Sequence, residues 1–153
     1  MRKFKGAKPL HCLSKDAIMP KTETQMSNQD LSSNDKKKYD LEERTSLFGE
    51  SVIIFLSKLP KNQINNTLVS QLVRSATSVG ANYMEADCAE SKKDFCHKMM
   101  ICKKEAKETT YWLRMVACAS PGLVDECNTL KKEAHEFILI FSSIIRNAKE
   151  KDG

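Results

Sequence analysis

No run in this sequence approaches the ~20 consecutive apolar residues that a membrane-spanning helix needs, so no association with a membrane is expected. No apolar leader precedes the six cysteines (Cys12, Cys88, Cys96, Cys102, Cys118, Cys127), and no two of them form a Cys-x-x-Cys pair. That pattern argues against a secreted disulfide scaffold and against a zinc site, and predicts free thiols in a reducing cytoplasm. Strand signals are missing too, which leaves helices as the material of the fold.

Catalytic signatures are equally scarce. A di-iron bundle needs two Glu-x-x-His pairs plus a glutamate from each remaining helix. The nearest patterns are Asp94 with His97 and, further on, Glu133 with Glu136. His11 stands far from any periodic segment, and His135 has no evident nucleophile beside it. There is no phosphate-cradling glycine loop and no nucleophile elbow. The expectation is a chain without enzymatic activity, metal, cofactor or small-molecule substrate.

What the sequence does have is charge, unevenly placed. Residues 1–38 hold nine Lys or Arg against four acids, which accounts for the whole net charge of +5. That segment has few periodic apolar positions, and Pro9 and Pro20 interrupt it. It reads as a disordered or loosely attached basic tail. Residues 39–153 carry 16 bases and 16 acids and form a neutral domain.

Within that domain four helical periods follow one another. Asp40 with Glu43 has the spacing of a capping box, and Leu41, Phe48, Val52, Phe55 and Leu59 share one face until Pro60 stops the helix, giving a span of 41–58. A second helix over 64–89 turns Leu68, Leu72, Ala76, Val79, Tyr83 and Ala86 inward. Ser91 and Asp94 signal a third from about 92, striped by Phe95, Met99, Cys102, Ala106, Thr109, Leu113 and Val116. After the turn at Pro121-Gly122, the fourth, 123–148, repeats Cys127, Leu130, Ala134, Phe137, Phe141, Ile144 and Ala148 in alternating steps of three and four. Such a repeat packs nearly parallel to its neighbours. The predicted fold class is all-α: an antiparallel up-down-up-down four-helix bundle.

Side faces of the second and third helices carry more than solubility requires. Arg74, Ser78, Ala81 and Glu85 cluster roughly 120° from the core face on a 100° wheel, with Asn82 at the border. A further sector holds Val69, Val73, Gly80 and Met84, apolar yet turned away from the expected core. Gly80 in a helix interior costs about 1 kcal/mol against Ala, which a close backbone approach would offset. On the third helix Ile101, Trp112 and Met115 oppose the core, interleaved with Glu105 and Glu108. An outward Trp among aliphatics marks a contact between subunits. Lys92, Lys103, Lys107 and Arg114 form a separate stripe within about 60°. Such a stripe is either a solvated lysine face or, repeated by symmetry, a surface for phosphates.

The segment "RSATSVGANYMEADCAESKKDF" (74–95), followed by "KEAKETTYWLR" and preceded by "YDLEERT", strongly resembles the bacterial four-helix bundle proteins encoded in intervening sequences of 23S ribosomal RNA genes, once called S23 ribosomal proteins. The resemblance covers about residues 39–148 and leaves the basic tail outside. It implies an antiparallel four-helix bundle assembled as a homopentamer. A related accessory variability protein of diversity-generating retroelements binds a reverse transcriptase and nucleic acid through basic surface residues, so RNA, DNA or a reverse-transcriptase-like enzyme are implied as partners besides the chain itself. The carried-over motif positions are Arg74, Ser75, Ser78, Gly80, Asn82 and Glu85, then Glu90, Ser91, Lys92 and Lys93, then Lys103, Glu105, Lys107, Glu108, Tyr111 and Trp112. Two functions stand open at this point. One is a non-catalytic homo-oligomeric scaffold binding nucleic acid, or an enzyme that acts on it, along Lys92, Lys103, Lys107 and Arg114, assembled through Arg74, Ser78, Gly80, Asn82, Met84, Glu85, Ile101, Trp112 and Met115. The other is a structural or protein-binding module whose lysines are merely solvated.

Overall fold

Each of the first three helices begins at a side chain that accepts a hydrogen bond from a free amide of the first turn. Asp40 Oδ1 accepts from the Glu43 amide at 3.1 Å, Asn62 Oδ1 from Asn65 at 2.8 Å, and Ser91 Oγ from Asp94 at 3.1 Å. The computed structural model describes residues 40–150, and the basic tail expected over 1–38 lies outside them. From these starts run α1 (Leu41–Leu56), α2 (Gln63–Asp87) and α3 (Lys92–Ala119). A short 3-10 turn, Pro121–Leu123, leads into α4 (Val124–Glu150). Among the described residues there is no strand.

The helix ends differ from expectation by up to two residues, for local reasons. Proline disfavours helical backbone in the residue before it. Ahead of Pro60 the chain therefore tightens, with Lys58 donating to the Phe55 carbonyl and Leu59 to that of Leu56, and α1 ends at Leu56 rather than 58. At the end of α2 the Ala89 amide likewise reaches only to Ala86, so the helix ends at Asp87 rather than 89.

Consecutive helices pack antiparallel, and α1 and α4 meet along the fourth seam. The pairs that cross the seams establish the directions: Ser75 with Thr109 and Glu85 with Lys98 between α2 and α3, Arg44 with Glu133 and Lys58 with Glu126 between α1 and α4. This is an all-α four-helix bundle. Its core is one cluster in which Val52, Leu72, Ala76, Val79, Cys102, Ala106, Leu113, Val116, Ala134, Phe137 and Phe141 are completely buried. Each large apolar side chain so buried contributes about 1.5–3 kcal/mol relative to exposure. Phe48, Phe137 and Phe141 form a line of rings with centroids 5.4 and 5.8 Å apart, and the Arg44 guanidinium caps Phe137 at 5.0 Å. Leu68, Tyr83, Phe95, Leu130, Ile144 and Ala148, expected on the inward stripes, are only half-buried.

Two expectations are corrected. Of the Val69, Val73, Gly80 and Met84 sector, Gly80 is buried under α1 and Val69 and Val73 are half-buried against the core, while Met84 is exposed. A Cβ on Gly80 would sit 3.4 Å from Thr45 Oγ1 and 3.6 Å from the Thr45 carbonyl carbon, so the close approach is to α1 of the same chain and not to a sister copy. Glu105, read as outward, is 92% buried, since it lies on the flank of α3 that packs against α2.

The thiols divide by depth. Cys102 and Cys127 are buried and Cys88 and Cys118 exposed, all free. Burial pushes the Cys102 thiol up to about 12 and raises that of Cys127, which keeps both protonated and unreactive. At pH 8 a thiol-specific reagent is expected to modify Cys88 and Cys118 within minutes and to reach Cys102 and Cys127 only with global unfolding, as mass spectrometry of labelled peptides would record. Thermal denaturation tests the α1–α2 crossing. Gly80→Ala, whose methyl meets only ordinary contacts, should leave the melting temperature unchanged or raised, whereas Gly80→Leu should destabilise by about 1–3 kcal/mol through overpacking against Thr45.

Candidate functional site

The chemistry-bearing side chains lie on the two flanks of α3, and the seam with α2 determines which flank each one takes. Inside that seam the Thr109 hydroxyl donates to Ser75 Oγ at 3.1 Å. On its outer edge Arg74 Nη2 donates to Glu108 Oε1 at 2.6 Å, and the same oxygen accepts from Trp112 Nε1 at 3.1 Å. Nearer the start of α3, Lys98 donates to Glu85 Oε2 at 2.5 Å, and this hydrogen bond raises the pKa of the lysine. Surface pairs of this kind add little stability. Their larger effect is to occupy carboxylates.

The residues expected to form a contact between copies largely share this seam. Arg74, Ser78, Asn82 and Glu85 lie on the flank of α2 that faces α3, and Ile101, Trp112 and Met115 on the flank of α3 that faces α2. None of the three charged or amide groups is idle, since Arg74 and Glu85 pair across the seam and the Asn82 amide donates to the Ser78 carbonyl at 2.8 Å. Gly80 is buried beneath α1 and leaves this set, and Met84 is half-exposed on the opposite flank of α2. Glu105 is the odd member: its Oε2 is buried with no hydrogen-bond partner among the described residues.

The other flank of α3 faces α4 and carries the basic stripe. Lys92, Lys107 and Arg114 are exposed and Lys103 half-exposed. Reading one helix at a time missed what α4 adds. A surface hollow of about 410 Å³ is lined by Thr110 of α3 with Lys131, Lys132, His135 and Glu136 of α4. Another, of about 550 Å³, brings Lys92, Lys93, Cys96 and Met100 together with Lys149. At its start the stripe is therefore joined by a base of α4, with Lys92 and Lys93 beside Lys149, a feature the sequence could yield only once α3 and α4 were placed side by side.

Glu136 lines the first of these hollows beside Lys131 and Lys132, while carboxylates on the other seams are taken up by ion pairs. Glu133 is held by Arg44 at 2.6 and 3.0 Å and Glu126 by Lys58, both along the α1–α4 seam. With Glu85 and Glu108 paired on the α2 side, four acids of α2–α4 are committed to cross-helix ion pairs, while Lys103, Lys107 and Arg114 stand outside them. An apolar hollow of about 300 Å³ between α1 and α4, lined by Ile54, Phe55 and Leu130 beside Ser51 and Thr129, completes the surface relief. Among the described residues no group of three or more His, Cys, Asp or Glu could hold a metal ion, and no helix is long and apolar enough to cross a membrane.

Comparison with known proteins agrees with this architecture. A Bacteroides thetaiotaomicron protein of unknown function from the S23 ribosomal protein family, solved by crystallography, shares 29% sequence identity and a TM-score of 0.64, covering 69% of this chain and 95% of its own. No curated protein matches. The family model of the 23S rRNA-intervening sequence protein matches residues 37–143, a span that takes in all of α1, α2 and α3 and most of α4. On that match, and on the helical bundle it shares with the solved relative, the chain belongs to the 23S rRNA-intervening sequence protein family.

Proposed function

We propose that this protein is a non-catalytic scaffold that assembles with copies of itself, as a pentamer, and binds structured RNA, or an enzyme acting on nucleic acid, over the basic face of α3 and α4. The observation that carries this reading is the separation of charge within a neutral domain: Glu85, Glu108, Glu126 and Glu133 are held in ion pairs across the seams, while Lys107 and Arg114 are exposed, Lys103 is half-exposed, and Lys131 and Lys132 line a hollow beside Thr110 of α3. A polyanion releases counterions when it meets such a face, and repetition around a ring multiplies the phosphate contacts. The α2–α3 seam, with Trp112 and Met115 half-exposed along it, supplies the contact between copies in this reading.

A second reading rests on the α1–α4 hollow and the exposed Leu47 and Ile54 beside it, which suit an apolar protein partner and require no nucleic acid. Charge reversal separates the two. Under the first, Lys103→Glu with Lys107→Glu weakens binding of a structured RNA at least tenfold at about 50 mM salt and lowers the slope of log affinity against log salt by about 1.5. Unmodified protein should lose affinity steeply between about 50 and 200 mM salt, and a midpoint indifferent to ionic strength would remove the basic face from the account. Light scattering checks the assembly: Trp112→Glu should reduce the mass to that of smaller species while the far-ultraviolet circular dichroism stays helical. An unchanged mass would clear the α2–α3 seam of any role between copies.

A further inference from the structure

Beside the cations of α3 stands an aromatic ring that the core does not use. Tyr111 is 54% exposed, the only aromatic side chain among the described residues that lies open to this degree. On the helix it is three residues from Arg114, four from Lys107 and seven from Lys104, so cations flank it along one face. The acid one turn earlier on the helix, Glu108, is held by Arg74 and by the indole of Trp112. The ring itself is steadied from behind, because Trp112 packs against it edge-on with centroids 4.9 Å apart and planes 75° apart. The links Arg74 to Glu108, Glu108 to Trp112 and Trp112 to Tyr111 therefore hold a flat, solvent-facing surface in place between positive charges.

We propose that Tyr111 is a stacking platform for an unpaired base, so that the basic face engages RNA at a single-stranded loop or end rather than along a duplex. This rests on the nucleic-acid reading above and narrows its substrate class. Bases inside an A-form helix are stacked on one another and cannot be reached by a side-chain ring, whereas a splayed base can lie on the ring while Lys107 and Arg114 meet the phosphates on either side. Loss of one such stack weakens binding without changing the number of phosphate contacts, and that separates it from loss of a lysine.

The test compares two RNAs of equal phosphate number, one a fully paired duplex and one a hairpin with an unpaired loop, against the full chain. The hairpin should bind more tightly, and binding should change the emission of Trp112, the chain's single tryptophan. Tyr111→Ala should weaken hairpin binding about 5- to 100-fold, leave duplex binding and the salt slope unchanged, and abolish the hairpin-specific emission change, while Tyr111→Phe retains all three. Equal effects of Tyr111→Ala on both RNAs, or no effect on either, would overturn the platform and leave the basic face standing. Failure of the unmodified protein to bind either RNA would overturn both. A change of assembly mass in Tyr111→Ala would assign the ring to a contact between copies and overturn the platform alone.

Discussion

The rotation of α3 about its own axis is the constraint on which the surface of this bundle depends, and three contacts with α2 set it. The buried Thr109–Ser75 hydrogen bond lies level with the Arg74–Glu108 pair, and the Glu85–Lys98 pair clamps the seam at a second height. With these made, Cys102, Ala106, Leu113 and Val116 fill the core, Trp112 stays beside α2, and Lys103, Lys107 and Arg114 stay outside the core. Rotation by a quarter turn would drive lysine into an apolar interior, at a cost no surface pair could offset.

Polar groups inside the bundle are otherwise satisfied close to home. Thr45 and Ser75 donate to carbonyls of their own helices and Thr109 donates to Ser75, so each hydroxyl enters the core already bonded. Small hydroxyls also keep the seams narrow, as Thr45 does under Gly80. Glu105 departs from this economy, since its carboxylate reaches into the α2–α3 seam and one oxygen finds no partner among the described residues. A buried acceptor left so is destabilising by at least about 1 kcal/mol, which makes this the point where packing and polar satisfaction conflict.

Neutral totals conceal an uneven arrangement of charge. Ion pairs across the α1–α4 and α2–α3 seams neutralise charges of both signs locally and contribute little to stability, while the hollows between α3 and α4 are lined by Lys92, Lys93, Lys131, Lys132 and Lys149 against the one acid Glu136. A field of this kind comes from where charges sit and not from how many there are. The same network reaches Tyr111 through Glu108 and Trp112, so electrostatics and ring placement on this flank share one set of contacts.

The sequence by itself determined the four helices and their order, because caps such as Asp40 and Ser91, breaks such as Pro60, and the three-four repeat of α4 act over a few residues and need no distant partner. It also determined most core positions, since Val52, Leu72, Leu113 and Phe137 share inward faces whatever packs on them. Tertiary structure alone decided what each side face meets. Gly80 could have opened toward a sister copy or toward α1, and only the crossing at Thr45 settled it. Glu105 carries a solvent-loving group, and only the lie of α2 over that flank of α3 put it inside. The basic face, likewise, required α4 to bring Lys131 and Lys149 beside α3, a juxtaposition between residues far apart in the chain that helical periodicity does not encode.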